Sequence, residues 1–297
     1  MKVMITGGGG FVGGHLKTHL ESFDHQVVSI DRTAEGSGCY ACDITDAASM
    51  SACVRQHQPD AIVHLAGLAA THVADNELQH LADVNIKGTL NVCQAANQLE
   101  NVALLFVSSG LVYGQTDQRR GFHEGDLLDP LSAYAESKVA AEYTVKTFAQ
   151  RKGFDAYIVR PFNHIGPRQS PRFVVPDFGR RIKEAQDGGE IKVGDLSAER
   201  DFTDVRDIVR AYRLILEKRP DEKVFVLGSG TTVQIGQVLE HLLEISGKEL
   251  KVTQNAALLR AKDPKVAFGD HSLAAKVLGW KPEITLNKSL RDAYEVM

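Results

Sequence analysis

Short, continuous apolar runs recur through the first half of the chain, each followed by a longer stretch of helical periodicity. This alternation restricts the fold more than any other feature. Val3–Thr6, Gln26–Ile30, Ala61–Leu65, Leu104–Ser108 and Tyr157–Arg160 read as strands. Between them, Phe11–Phe23 carries Val12, Leu16 and Leu20 at helical spacing. Asp46 is placed to N-cap a helix reaching about His57, and Leu78–Leu99 and Ala133–Arg151 are longer helices. Strands without polar alternation are buried on both faces, which a parallel sheet covered by helices on both sides provides.

The expected fold is therefore α/β, a Rossmann-type doubly wound parallel sheet. After Pro161 the rhythm breaks. Pro161, Gly166, Pro167, Pro171 and Pro176 mark a long functional loop. A helix at Val205–Glu217 and a strand at Lys223–Leu227 return to the sheet, while Gln234–Ser246 and the tail from Leu250 build a smaller α/β lobe. The expected division is 1–162 with 200–228 for the sheet domain, and 163–199 with 229–297 for the second lobe.

A net charge of −4 argues against a nucleic-acid binder, whose phosphate contacts need a basic face. The apolar runs fall well short of the roughly 20 residues that span a bilayer. Glycines interrupt the apolar start before it reaches the length of a secretory segment. The expectation is a cytoplasmic protein without membrane or nucleic-acid partners. Cys39 and Cys42 form a C-x-x-C pair, but no second pair completes a zinc set, so no metal is expected. All four cysteines read as free thiols, small apolar residues on or beside a strand.

Gly7, Gly10 and Gly13 give G-x-x-G-x-x-G between the first strand and the first helix. Glycines there permit a tight turn and let backbone N–H groups of Phe11 and Val12 face a pyrophosphate at the positive helix end. Gly13 lets the helix lie close on the sheet. Asp31 ends the second strand, where a carboxylate accepts hydrogen bonds from ribose hydroxyls and repels a 2′-phosphate. That favours NAD(H). Arg32 beside it suits a 2′-phosphate as well as a solvated loop, which leaves NADP(H) open.

Tyr134 and Lys138 form Y-x-x-x-K on a helix, one turn apart on one face. A tyrosine titrates near pH 10, too high for ready proton transfer at neutral pH. A neighbouring ammonium and a positive nicotinamide would lower it. Upstream, Ser108-Ser109 lies at the carboxyl end of a parallel strand, where ligands bind in open α/β sheets. A serine hydroxyl there holds a carbonyl oxygen and stabilises an alkoxide.

This order of glycine fingerprint, serine and Tyr-x-x-x-Lys resembles the extended short-chain dehydrogenase/reductase family over essentially the whole chain. The resemblance implies a triad of Ser109, Tyr134 and Lys138, with Ser109 chosen because it stands four residues before the tyrosine of Val112-Tyr113-Gly114. It also implies cofactor contacts from Asp43, Ile44, Leu65, Ala66, Gly67, Asn85 and Pro161, and a homodimer formed through the helices near 85–99 and 133–150.

The stretches Arg160-Pro161-Phe162-Asn163-His164-Ile165-Gly166-Pro167 and Arg200-Asp201-Phe202-Thr203-Asp204-Val205 gather arginines and an amide suited to a diphosphate. They resemble the family's nucleotide-sugar 4-ketoreductases, in particular those acting on GDP-4-keto-6-deoxy-D-mannose. By that resemblance Asn163, Arg168, Val174 and Arg200 hold the nucleotide sugar, Val193 flanks the base, and Arg260 with Asp263 closes the site. His164 is read either as a substrate contact or as part of a turn. Gly110 and Leu111 replace the acidic pair that sugar-nucleotide 4,6-dehydratases use. The 4-epimerases share the triad and remain the alternative. A non-catalytic dinucleotide sensor is disfavoured because Ser109, Tyr134 and Lys138 are all present.

Overall fold

The structure, a computed structural model, describes residues 1–33, 38–69, 77–114, 120–255 and 266–297. Strands β1 (Lys2–Thr6), β2 (Gln26–Asp31), β3 (Cys39–Ala41), β4 (Ala61–His64), β5 (Ala103–Val107), β6 (Asp155–Pro161) and β11 (Val224–Leu227) form one sheet. Its order is β11-β6-β5-β4-β1-β2-β3, and every neighbouring pair is parallel. The sequence reading did not delimit the short β3, whose residues Cys39-Tyr40-Ala41 lie at the sheet edge and are largely exposed.

Successive residues of each strand alternate between two cores. On one face Val3, Ile5, Val63 and Leu105 meet helix α1 (Phe11–Glu21) and helix α7 (Val205–Lys218). On the other, Met4, Ile62, Leu104 and Ile158 meet α2 (Ala47–His57), α4 (Gly88–Ala96) and α5 (Ala133–Lys152). Asp46 caps α2 as its sequence position demands, accepting the Ala48 and Ser49 N–H groups at 2.9 and 3.2 Å. The helix read as Leu78–Leu99 is interrupted: α3 (Leu78–Ala82) passes through a π turn at Asp83–Lys87 into α4. Among the described residues, no helix is long and apolar enough to cross a membrane.

The segment after Pro161 is more ordered than its proline content suggests. It forms β7 (Asn163–Ile165) and α6 (Val174–Glu184), with Pro176 in the first helical turn, where a missing N–H costs nothing. β7 pairs in parallel with β10 (Phe202–Asp204), and β8 (Glu190–Val193) with β13 (Lys251–Gln254). A third small sheet joins β12 (Val233–Gln234), β9 (Glu199–Arg200) and β14 (Val266–Ala267). With α8 (Ile235–Ser246) and α10 (Leu286–Glu295), these enclose a separate core that includes Phe178, Ile182, Phe202, Leu242 and Leu290.

Two features depart from the division read from the sequence. Phe202 packs in the smaller lobe's core, whereas α9 (Ser272–Leu278) and Trp280 pack with the sheet. Asp207, on the first turn of α7, fastens this returning segment. Its carbonyl accepts Trp280 Nε1–H at 2.8 Å, and its carboxylate accepts the Glu283 and Ile284 N–H groups at 2.9 Å each. Arg210 completes the cluster at 2.9 Å. Asp207→Ala strips two backbone donors and a guanidinium of their acceptor, and a loss of about 1–3 kcal/mol is expected in urea unfolding.

Candidate active site

The glycine turn is built to admit something against its backbone. Gly7 has φ of +71°, and a Cβ there would lie 2.8 Å from the Ala66 nitrogen. A Cβ on Gly13 would come within 2.5 Å of the Gly7 carbonyl oxygen, so only glycine lets α1 start this close to β1. Gly10 is the α1 N-cap and brings no side chain to the helix end, leaving the first-turn N–H groups of Phe11 and Val12 for a ligand. Asp31 accepts the Gly9 N–H at 3.1 Å, which fixes its carboxylate beside the turn.

Arg32 is exposed, and its charge helps hold the Asp43 carboxyl below the usual range, after the stronger effect of the Thr45 hydrogen bonds. Ile44 is buried against Gly88, and its carbonyl accepts from Asn91 at 2.8 Å. Leu65, Ala66 and Gly67 follow β4, with Gly67 facing both Asn85 Oδ1 and Lys138 Nζ. Asn85 lies in the π turn and exchanges hydrogen bonds with the Leu68 backbone at 2.8 and 3.2 Å. A turn that admits no side chain, helix N–H groups without a capping side chain, and a carboxylate at the second strand fit a nicotinamide dinucleotide.

Ser109 follows β5 and caps a short 3-10 turn, Gly110–Tyr113, by accepting the Leu111 N–H at 3.2 Å. Tyr134 stands on the first turn of α5, which Ser132 caps, with the Ser109 hydroxyl near enough to its phenol to influence it. Burial pushes the Tyr134 pKa up to about 12, with the Ser109 hydroxyl opposing this. Lys138 is buried one turn on. Its Nζ donates to the Val107 carbonyl at 2.9 Å and lies 5.0 Å from the Phe106 ring centre. Burial lowers the Lys138 pKa to about 8, with Glu142 pulling the other way. Burial thus raises the tyrosine, and the Lys138 ammonium, bonded to a main-chain oxygen, does not offset it.

The sequence reading did not single out what holds these side chains. Glu142, one turn beyond Lys138, receives Arg160 Nε at 2.9 Å and Nη2 at 2.6 Å, all buried. Burial pushes the Glu142 carboxyl up, but the guanidinium outweighs it and holds it below the usual range. Arg160 also donates to Tyr113 Oη at 2.7 Å and to the Glu124 carbonyl at 3.1 Å. One signal was available: Glu142 falls on the same helical face as Ala135, Lys138 and Val145, where an unpaired carboxylate would be costly.

The second set of candidates divides. Pro161 ends β6, buried beside Leu227. Asn163 opens β7 and donates to the Asp201 carbonyl at 3.2 Å, which places it next to Arg200, whose Nη1 donates to the Glu199 carbonyl at 2.8 Å. His164 stacks on Phe11, 6.1 Å between ring centres, and bonds the Phe162 carbonyl, so it joins the α1 turn to β7. Arg168 is exposed at a left-handed position, and Val174 starts α6. Val193 is fully buried in the smaller lobe's core. Arg260 and Asp263 lie outside the described residues.

The model of the NAD dependent epimerase/dehydratase family matches residues 3–228. The chain belongs to that family. It is 32% identical to the GDP-6-deoxy-D-mannose reductase of Pseudomonas aeruginosa over 295 residues, 98% of this chain and 95% of that protein. Among solved structures it resembles RMD from Pseudomonas aeruginosa complexed with NADPH, at 31% identity and a TM-score of 0.87 over 99% of this chain and 98% of that one. It also resembles the UDP-glucose 4-epimerase of Thermotoga maritima with UDP-glucose, at 28% identity and a TM-score of 0.91 over 100% and 98%. As a member of the epimerase/dehydratase family the chain is an enzyme whose cofactor is a nicotinamide dinucleotide.

Arg160→Met leaves the Glu142 carboxylate buried without its partner, and unfolding should show a loss of about 3–5 kcal/mol. Adding Glu142→Leu should recover much of it. Full additivity of the two losses would show that the pair is not coupled.

His64, buried at the end of β4, gives a pH signature. Burial, assisted by the Lys138 charge, lowers its pKa to about 3. The unfolded chain takes a proton there near pH 6.5, which the folded chain refuses until about pH 3, so stability falls as pH drops through that window. Relative to His64→Gln, the native protein should lose about 2 kcal/mol between pH 7 and 5 in urea unfolding.

Proposed function

We propose that this enzyme is a nucleotide-sugar 4-ketoreductase that reduces the C4 ketone of a nucleotide-activated 4-keto-6-deoxy sugar, with GDP-4-keto-6-deoxy-D-mannose as substrate and GDP-D-rhamnose as product. The observation that carries this reading is the Lys138 Nζ bond to the Val107 carbonyl, which holds the helix bearing Tyr134 against the end of the strand that Ser109 follows, at the carboxyl edge of the sheet. Two hydroxyls brought to the same strand end mark where a ketone oxygen is received. The similarity to the Pseudomonas aeruginosa reductase supports the sugar.

When bound, the reduced nicotinamide supplies the hydride. Tyr134 Oη donates the proton to the C4 oxygen, and Ser109 Oγ–H holds that oxygen as charge develops on it. Lys138 Nζ stands one turn away, where its charge favours the phenolate once the proton has left. Gly7, Gly10, Phe11, Val12 and Gly13 cradle the pyrophosphate. Asp31 receives the adenosine ribose, which favours NAD(H), while the exposed Arg32 is available to a 2′-phosphate. Asn163 and Arg200, adjacent across β7 and the β9–β10 link, take the sugar nucleotide's diphosphate, with Arg168, Val174 and Arg260 completing the site.

A dehydratase reading has no room. A side chain at Gly110 would meet the Phe162 ring at 2.9 Å, so no carboxylate fits there. The 4-epimerase reading is favoured by the likeness to the Thermotoga maritima structure. The reading includes a cytoplasmic homodimer through α4 and α5, whose Tyr143 is 62% exposed.

The test is anaerobic NADH and NADPH oxidation with GDP-4-keto-6-deoxymannose, with the product identified by NMR. Reduction to the rhamnose sugar supports the proposal. Interconversion of UDP-glucose and UDP-galactose without net oxidation would overturn it in favour of the epimerase. Tyr134→Phe should bind dinucleotide normally and lose about 10²–10⁴-fold in turnover.

A further inference from the structure

A chain of buried hydrogen bonds runs from the glycine turn to the helix that carries Tyr134, and its direction is fixed at every link. Thr89 Oγ1 donates its only proton to the Asn85 carbonyl at 2.6 Å. It must therefore accept from His64 Nε2, 3.1 Å away. His64 Nδ1 is then an acceptor, and Thr6 Oγ1 donates to it at 2.7 Å. The same Thr6 oxygen accepts the Ala66 N–H at 3.1 Å. Beyond Asn85, the side-chain Nδ2 donates to Ser137 Oγ at 2.9 Å, and Ser137 Oγ donates to the Tyr134 carbonyl at 2.7 Å.

Thr6 immediately precedes Gly7, and Ala66 is the residue a Cβ on Gly7 would strike. Ser137 immediately precedes Lys138. The chain spans β1, β4, the π turn and α5 without passing through solvent, and a π turn is a recurrent place for a functional distortion. The Thr89 bond to a carbonyl four residues back competes with the helical ladder there, as expected where a helix is locally distorted. His64 is the central link because an imidazole with one N–H and one lone pair relays a bond between two hydroxyls. Protonation would turn its acceptor into a second donor.

We infer that His64 is a positioning residue, in its Nε2–H tautomer, that ties the phosphate cradle to the helix bearing Tyr134 and Lys138. This rests on the assignment of those two residues above. A dinucleotide seated on the glycine turn thereby orders the first turn of α5.

The test is amide hydrogen exchange by mass spectrometry on the full chain, with and without NADH. Thr6→Val removes the first link and Thr6→Ser keeps it; Thr89→Val and Thr89→Ser do the same beyond His64. In both valine variants, the peptide covering residues 133–142 should exchange about tenfold faster, as expected for one lost buried hydrogen bond. NADH should protect that peptide in the native and serine proteins but not in the valine variants. Equal exchange in valine and native proteins, or serine variants as fast as valine ones, would overturn the inference. So would a ¹⁵N spectrum placing the His64 proton on Nδ1. None of these readouts needs a sugar substrate, so failure of keto-sugar reduction and failure of this coupling are separate results.

Discussion

The Arg160–Glu142 pair is the interaction on which the arrangement of the active site depends. It joins β6 to α5, the helix that carries Tyr134, and the same guanidinium takes Tyr113 on the turn that Ser109 caps. Taking both charges out of water costs several kcal/mol per ion, and the two-pronged geometry roughly offsets that. Its worth is orientation more than net stability. An apolar pair of similar volume would pack as well but would not specify which carboxylate, phenol and carbonyl face one another. Glu124 extends the cluster by accepting the Val226 N–H at 2.8 Å, which fixes the loop after the 3-10 turn to β11.

A second kind of joint uses carboxylates without cations. Asp201 is buried and accepts the Ser229 and Gly269 N–H groups at 2.8 and 3.0 Å. Burial raises its pKa, with those donors opposing the shift. It sits between Arg200 and the start of β10, so it fastens the β9–β10 link to the loops after β11 and β14. Gly228 has no side chain for this reason: its Cβ would overlap an Asp201 oxygen. The two lobes are thus joined by backbone donors converging on one carboxylate, directly behind the candidate diphosphate-binding residues.

The sheet was legible in the sequence because its strands are buried on both faces and therefore uninterrupted in apolarity. Asp46 was legible because an N-cap is local chemistry. The candidate cofactor and catalytic residues were legible because their spacing relative to strand ends is itself geometric. Beyond Pro161 the chain was legible at α7, β11 and α8 but not in its small sheets. Its strands are two to four residues long and its prolines serve a helix start, so periodicity had little to act on. Glu142, His64 and Asp201 were missed for a common reason. Each is a buried polar residue whose partner lies between 18 and 68 positions away, beyond the reach of a local pattern.

The chain has a single tryptophan, and Trp280 is fully buried where the 272–284 segment docks on α7, with its indole N–H bound to the Asp207 carbonyl. The molecule therefore carries one intrinsic optical label, set at a seam rather than at the reaction centre. Its emission colour reports whether the returning segment is seated on the sheet layer, since detachment exchanges an apolar surround for water.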